Sequence, residues 1–309
     1  MYRASLSRGV SLMSEESQTE NTLIPETLYH YCSADAFLKI IESKSIWLSS
    51  VLGFNDYMET KWIDHLIDVE IQKRRGNGHD KFLDFLIHSY NNNRNSAFAF
   101  VACFSSGRDV LSQWRAYASD GSGFAIGFNS QYFHIPYHVP LFHVHYLSQR
   151  DIGIHDVIYD ISRQREALTQ AIEAGLNEYS RENPLSIIRG ASKCVDSLWQ
   201  YSHIFKNQAF REELEWRIMY MRKITQNEDS EMEKFEAWFE QELPVNFRAT
   251  DRSIIPYFEL PFSEPGKIAP INEVILGPKN ETEQMFAEML LDFNDFKGVI
   301  VRQSDASYR

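Results

Sequence analysis

Cysteine is scarce: Cys32, Cys103 and Cys194 are the three in 309 residues. They are too few and too scattered for a disulfide framework or a thiolate zinc site, and a reducing cytosol is the expected compartment. Positive charge is also short. The net charge of -12 argues against non-specific binding to a phosphate backbone, while leaving room for a local basic groove. No run of about 18 or more apolar residues occurs, so no membrane span is expected. Arg3 and Arg8 are not followed by the long apolar core of a signal peptide. There is no Gly-rich phosphate loop of the dinucleotide or P-loop type, no internal repeat and no long linker.

Material for a core is abundant, with 43% hydrophobic and 14% aromatic residues. The expected organisation is a disordered polar segment over residues 1–22, then one α+β domain over 23–309 with a helical insertion at about 150–210. Met13 lies just before the polar stretch Ser14–Thr22 and competes with Met1 as the natural start.

Apolar Phe37, Leu38, Ile40 and Ile41 recur at helical spacing behind Ser33, an expected N-cap. Ile46–Leu48 reads as a strand, 53–56 as a loop, and Met58–Val69 and Lys81–Tyr90 as helices. Ser96–Phe104 is apolar on both faces, as a central covered strand should be. A short helix through Trp114 and Tyr117, then strands at Phe124–Phe128 and Leu141–Leu147, follow. Residues 155–180 and 186–206 read as a helical pair. Glu215–Arg222 alternates as a strand, with Glu215, Arg217, Met219 and Met221 on one side. An acidic helix is expected over 228–242, strands over 254–260, 274–276 and 298–302, and a helix over 281–291.

Three separated fragments carry chemistry: Leu28-Tyr29-His30-Tyr31, Trp114-Arg115-Ala116-Tyr117 and Glu215-Trp216-Arg217. Cleavage of a nicotinamide–ribose bond develops positive charge on the ribose, which one carboxylate can stabilise. An aromatic face can stack on nicotinamide, and a histidine can hold a ribose. Glu215, Tyr117 and His30 have that chemistry. Set against it, Glu215 and Arg217 also read as an ion pair on a sheet face, His30 as a satisfied half-buried histidine, and Tyr117 as core. Asn55 and Asp56 read first as a turn and helix cap, and second as contacts to ribose hydroxyls. His134, His138, His143 and His145 crowd one region, but show no carboxylate partner for a metal. Cys103 lies on an apolar strand, where a thiol is ordinarily inert.

The pieces Leu28–Ser33, Phe54–Glu59, Cys103–Ser105, Gln113–Ala118, Gly123 to Gly127-Phe128, Glu213–Ile218, Ile275–Lys279 and Ser304 with Tyr308-Arg309 resemble a widespread bacterial family catalogued as domain of unknown function 2971. This chain departs at Cys32, where that family usually has threonine, and at Arg115, where it often has a small residue or histidine. The order His30, Tyr117, Glu215 is in turn similar to ADP-ribosyltransferases of the DNA-targeting toxin type. That resemblance implies a mixed, split β-sheet flanked by helices, with NAD in the cleft between its halves. It implies an NAD-dependent enzyme, a toxin or phage-defence effector modifying a nucleic acid or protein, with a neutralising partner protein as a further expectation. Glu215 would be catalytic, Tyr117 would stack on nicotinamide and His30 would hold the adenosine ribose, with Tyr31 a further NAD contact. Arg115 and Arg217 are pyrophosphate candidates, and Asn55 and Asp56 second-rank cleft contacts. The alternatives are a non-catalytic module that binds a nucleotide or a partner, and a metal-dependent hydrolase built on the histidines.

Overall fold

A ten-stranded mixed β-sheet organises the chain. The computed structural model describes residues 24–51, 57–133, 152–223, 245–250, 253–262 and 269–308. The strands are β1 (Thr27–Cys32), β2 (Ser45–Ser50), β3 (Ala97–Ser105), β4 (Phe124–Asn129), β5 (Ile152–Asp156), β6 (Glu215–Lys223), β7 (Val245–Ala249), β8 (Ile254–Pro261), β9 (Ile271–Leu276) and β10 (Ile300–Gln303). The described helices are α1 (Ala34–Ser43), α2 (Tyr57–Gln72), α3 (Asp80–Ser96), α4 (Leu111–Tyr117), α5 (Ile161–Glu178), α6 (Pro184–Tyr201) and α7 (Gln284–Phe293). Among the described strands, all pairings are antiparallel except β9 with β10.

The sheet divides at β3. One edge of β3 pairs with β6 along its whole length, from Ala97↔Lys223 to Ser105↔Glu215. Its other edge is shared: β2 pairs at Phe100 and Val101, and β1 pairs only at Ser105, with Tyr29. A strand has two edges, so β1 and β2 must diverge over residues 102–104. From β1 the sheet continues through β4 and β9 to β10, and from β2 through β8 to β7. The mixed α+β architecture expected from the sequence is therefore present, as one open sheet that forks at β3.

Local chemistry explains the helix boundaries. Ser33 caps α1 by accepting from Ala36 N–H (3.2 Å), and Lys44 ends it in the left-handed region at φ 51°. Asp160 caps α5 through Arg163 N–H (2.8 Å), and Asn183 caps α6, where Pro184 supplies a preset φ at the first position. Each helix buries one stripe: Phe37, Ile40 and Ile41 of α1 and Ala287 and Leu291 of α7 cover one sheet face. The opposite face carries α2, α3, α5 and α6 on Val101 and Met219. It also carries a separate small core where α4 sets Trp114 and Ala118 on Tyr29, Tyr31 and Ala125.

Two sequence expectations change. Residues 152–156 form β5 on the outer edge of β6, so the helix expected from 155 begins at Ile161. β7 was not anticipated. The strand at 141–147, the helix at 228–242, the loop at 53–56, Met13 and the four-histidine region lie outside the described residues. Among the described residues no helix is long and apolar enough to cross a membrane, and no three His, Cys, Asp or Glu side chains group to hold a metal.

Candidate functional site

The two cores on one face of the sheet leave a polar seam between them. Strand alternation puts Cys103, Ser105, Glu215 and Arg217 on the same side as Val101 and Met219. Val101 and Met219 belong to the helical core, and Tyr29, opposite Ser105, belongs to the core under α4. Between them opens a pocket of about 350 Å³, its mouth included, lined by His30, Tyr31, Cys103, Phe104, Gln113, Tyr117, Glu213 and Glu215. His30 and Phe104 come from the other parity of their strands. They reach the pocket because β1 leaves β3 there and the sheet is open.

The fork is closed by a side chain. His30 Nδ1 lies 2.8 Å from the Cys103 carbonyl oxygen. A carbonyl only accepts, so the proton is on Nδ1 and the neutral ring keeps Nε2 as an acceptor. Burial lowers the His30 pKa and outweighs the opposing pull of the Cys103 carbonyl, so the ring is neutral at neutral pH. The ring also meets Phe104 edge-on, with centroids 5.8 Å apart. Tyr31 Oη donates to Gly107 O (2.9 Å) and accepts from Val110 N–H (3.0 Å), so it ties the pocket wall to the loop that starts α4. On α4, Trp114 is fully buried, whereas Tyr117 is 49% exposed and stands at the pocket mouth. Gln113 lies four residues before Tyr117, on the same helix face, and is buried.

The floor is an ion cluster. Arg217 grips Glu215 with two bonds, Nε to Oε1 (2.7 Å) and Nη2 to Oε2 (3.0 Å), and its Nη1 donates to His203 O (2.7 Å). Lys206 Nζ donates to Glu213 Oε2 (2.7 Å) and Glu215 Oε2 (3.0 Å). All four side chains are buried. Burial is the largest influence on Glu215 and acts to raise its pKa, but Arg217 and Lys206 together outweigh it and hold the carboxyl at about 2. The Cys103 thiol goes the other way: burial and then the Glu215 carboxylate push it well above the ordinary range, which leaves it a poor nucleophile. Burial also raises the Tyr117 phenol; Lys206 opposes that, and Glu213 and Glu215 add to it.

His30, Tyr31, Tyr117 and Glu215 thus meet in one pocket. Arg217 arrives as the buried partner of Glu215. Arg115 does not join them: it is exposed, with its guanidinium 5.7 Å from the Tyr308 ring. Asn55 and Asp56 lie outside the described residues. Sequence reasoning gave no role to Glu213, Gln113 or Lys206. The four-residue spacing from Tyr117 was a signal for Gln113, and Glu213 stood inside a quoted motif. Nothing local marks Lys206, whose partners lie seven and nine residues away across a 3-10 turn.

A family model described as a protein of unknown function, DUF2971, matches residues 113–218. The chain is similar to that family from Gln113 to Ile218, a span that holds the α4 wall and the Glu213–Glu215 floor but not His30 or Cys103. No curated protein and no solved structure matches the chain.

Proposed function

We propose that this pocket receives the nicotinamide riboside end of NAD and that the protein is an ADP-ribosyltransferase-like enzyme, a toxin or phage-defence effector acting on a nucleic acid or protein. One observation carries the reading: His30, Tyr117 and Glu215, from three distant parts of the chain, line the same pocket at the fork of the sheet. Glu215 is fixed as a carboxylate and oriented by Arg217, which suits it to stabilise positive charge developing on a ribose. Tyr117 offers a half-exposed ring for stacking. The neutral His30, with Nε2 accepting, suits a ribose hydroxyl. No lysine or arginine is among the described lining residues, which favours a role for Arg217 through Glu215 over one on the pyrophosphate.

A second reading is a non-catalytic nucleotide-binding module. It is favoured by the pairing of both Glu215 oxygens with cations, an arrangement that also serves a scaffold.

The test is incubation of the protein with NAD and a mixed cell lysate, beside Glu215→Gln and Tyr117→Ala, with released nicotinamide and transferred ADP-ribose as readouts. Loss of the Glu215 charge is expected to slow release on the order of 100-fold. Tyr117→Ala removes no buried charge and keeps the measurement interpretable if Glu215→Gln fails to fold. A folded protein that shifts its melting temperature with NAD yet releases no nicotinamide is the binding module.

A further inference from the structure

We propose that the outward face of α7 is a docking surface for a basic amphipathic helix of a partner protein. The proposal is independent of the pocket and of NAD. α7 is held to the sheet by Ala287 and Leu291, which are buried. Four large apolar side chains point the other way: Met285, Phe286, Met289 and Phe293 are 59, 56, 45 and 80% exposed. At 3.6 residues per turn they fall within an arc of about 100°, a continuous stripe along the helix. α7 also packs beside β10, the strand at the sheet edge. Scattered surface hydrophobics need no explanation, but two phenylalanines and two methionines aligned on one short helix mark a contact site.

Charge selects the occupant. Glu288 and Asp292 border one side of the stripe, Glu281 and Glu283 precede it, and α7 contains no basic residue. Asp295, just beyond, is already paired with Lys44 at 2.9 Å. A second copy of this chain would set acidic rim against acidic rim, which like-charge repulsion disfavours. A helix with an apolar stripe flanked by lysine or arginine satisfies both features at once, as helix-in-groove recognition does elsewhere. Adaptable methionines beside rigid phenylalanines suit such a stripe.

The probe is a fluorescent, helix-forming peptide of leucine and lysine, roughly 18 residues or five turns long, with a leucine–glutamate peptide of the same apolar pattern as control. Saturable binding of the lysine peptide to the full chain is expected. Phe286→Ser with Phe293→Ser should weaken it about tenfold or more, and Glu288→Lys with Asp292→Lys should do likewise. These variants touch no buried α7 residue, so the melting temperature should hold. The proposal is overturned if neither pair of substitutions changes binding, or if the glutamate peptide binds equally well. It is also overturned if light scattering shows a dimer of this chain that the phenylalanine variants dissociate.

Discussion

His30 Nδ1 and the Cys103 carbonyl oxygen lie 2.8 Å apart, across the stretch of β3 that neither β1 nor β2 pairs. The bond replaces a rung of the ladder with a side chain and fixes the tautomer of a ring that lines the pocket. Burial holds the His30 pKa below its ordinary 6.5, so between the folded value and 6.5 the unfolded chain binds more protons than the folded one. His30 therefore lowers stability as pH falls through that window. Asn, whose Nδ2 can donate where Nδ1 does, should keep the fork bond without titrating. The stability of the wild type relative to His30→Asn should fall between pH 7 and 5 in urea denaturation; a difference that stays flat with pH would refute the buried neutral ring.

The buried cluster under the pocket should punish half-removal. Arg217→Met leaves Glu215 with Lys206 as its one cation among the described residues, and a cost of about 3–5 kcal/mol is expected in urea denaturation. Glu215 also sets an acid limit. Its carboxyl is lowered from the ordinary 4.5 to about 2, so its contribution is present above 4.5 and is lost as pH falls from there towards 2. That loss is worth roughly 3 kcal/mol, and it should be missing from the acid denaturation of Glu215→Gln.

A helix crossing gives a prediction against propensity. Alanine is normally the better helix former by about 1 kcal/mol. At Gly190, however, a Cβ would press on the Gly175 carbonyl and the Phe82 ring, because α5 and α6 approach backbone to backbone. Gly190→Ala should destabilise by about 1–3 kcal/mol. An increase in melting temperature would show that the two helices are not in close contact.

Residues 304–308 are strapped over α4 through two carboxylates. Asp109 accepts from Trp114 Nε1, Ser304 Oγ (2.7 Å) and Asp305 N–H (2.7 Å), while Tyr308 Oη donates to Asp120 (2.7 Å). Asp109→Ala leaves the fully buried Trp114 indole without this acceptor and should cost about 1–3 kcal/mol. Limited proteolysis within residues 304–308 should then be faster than in the wild type, and an unchanged rate would refute the strap.

Periodicity made most of the frame legible. The apolar-both-faces reading of 96–104 identified β3 because a strand covered by two cores must be apolar on both sides. The alternation from Glu215 placed Glu215, Arg217 and Met219 together, as β6 does. β5 escaped because Ile152-Gly153-Ile154-His155-Asp156 is short and its later residues merge into a helical pattern. β7 escaped because it is a five-residue outer strand with partly exposed side chains. Tyr117 shows the limit at the site: its spacing from Trp114 suggested core, yet a seven-residue helix at the rim of a sheet buries one and leaves the other half open. Whether β1 and β6 would face one cavity depended on where β1 leaves β3, and that divergence has no local signature.

The shared edge of β3 also orders events during synthesis. β3 leaves the ribosome with β1 and β2 already made, but Ser105 waits 108 residues for the Glu213 carbonyl that accepts its hydroxyl. At about 5–20 residues per second that interval is roughly 5–20 s, during which the other edge of an apolar nine-residue strand is unpaired. A nascent chain that stops short of β6 thus carries His30 and Tyr117 but no pocket, and its longest strand is the part most in need of a chaperone.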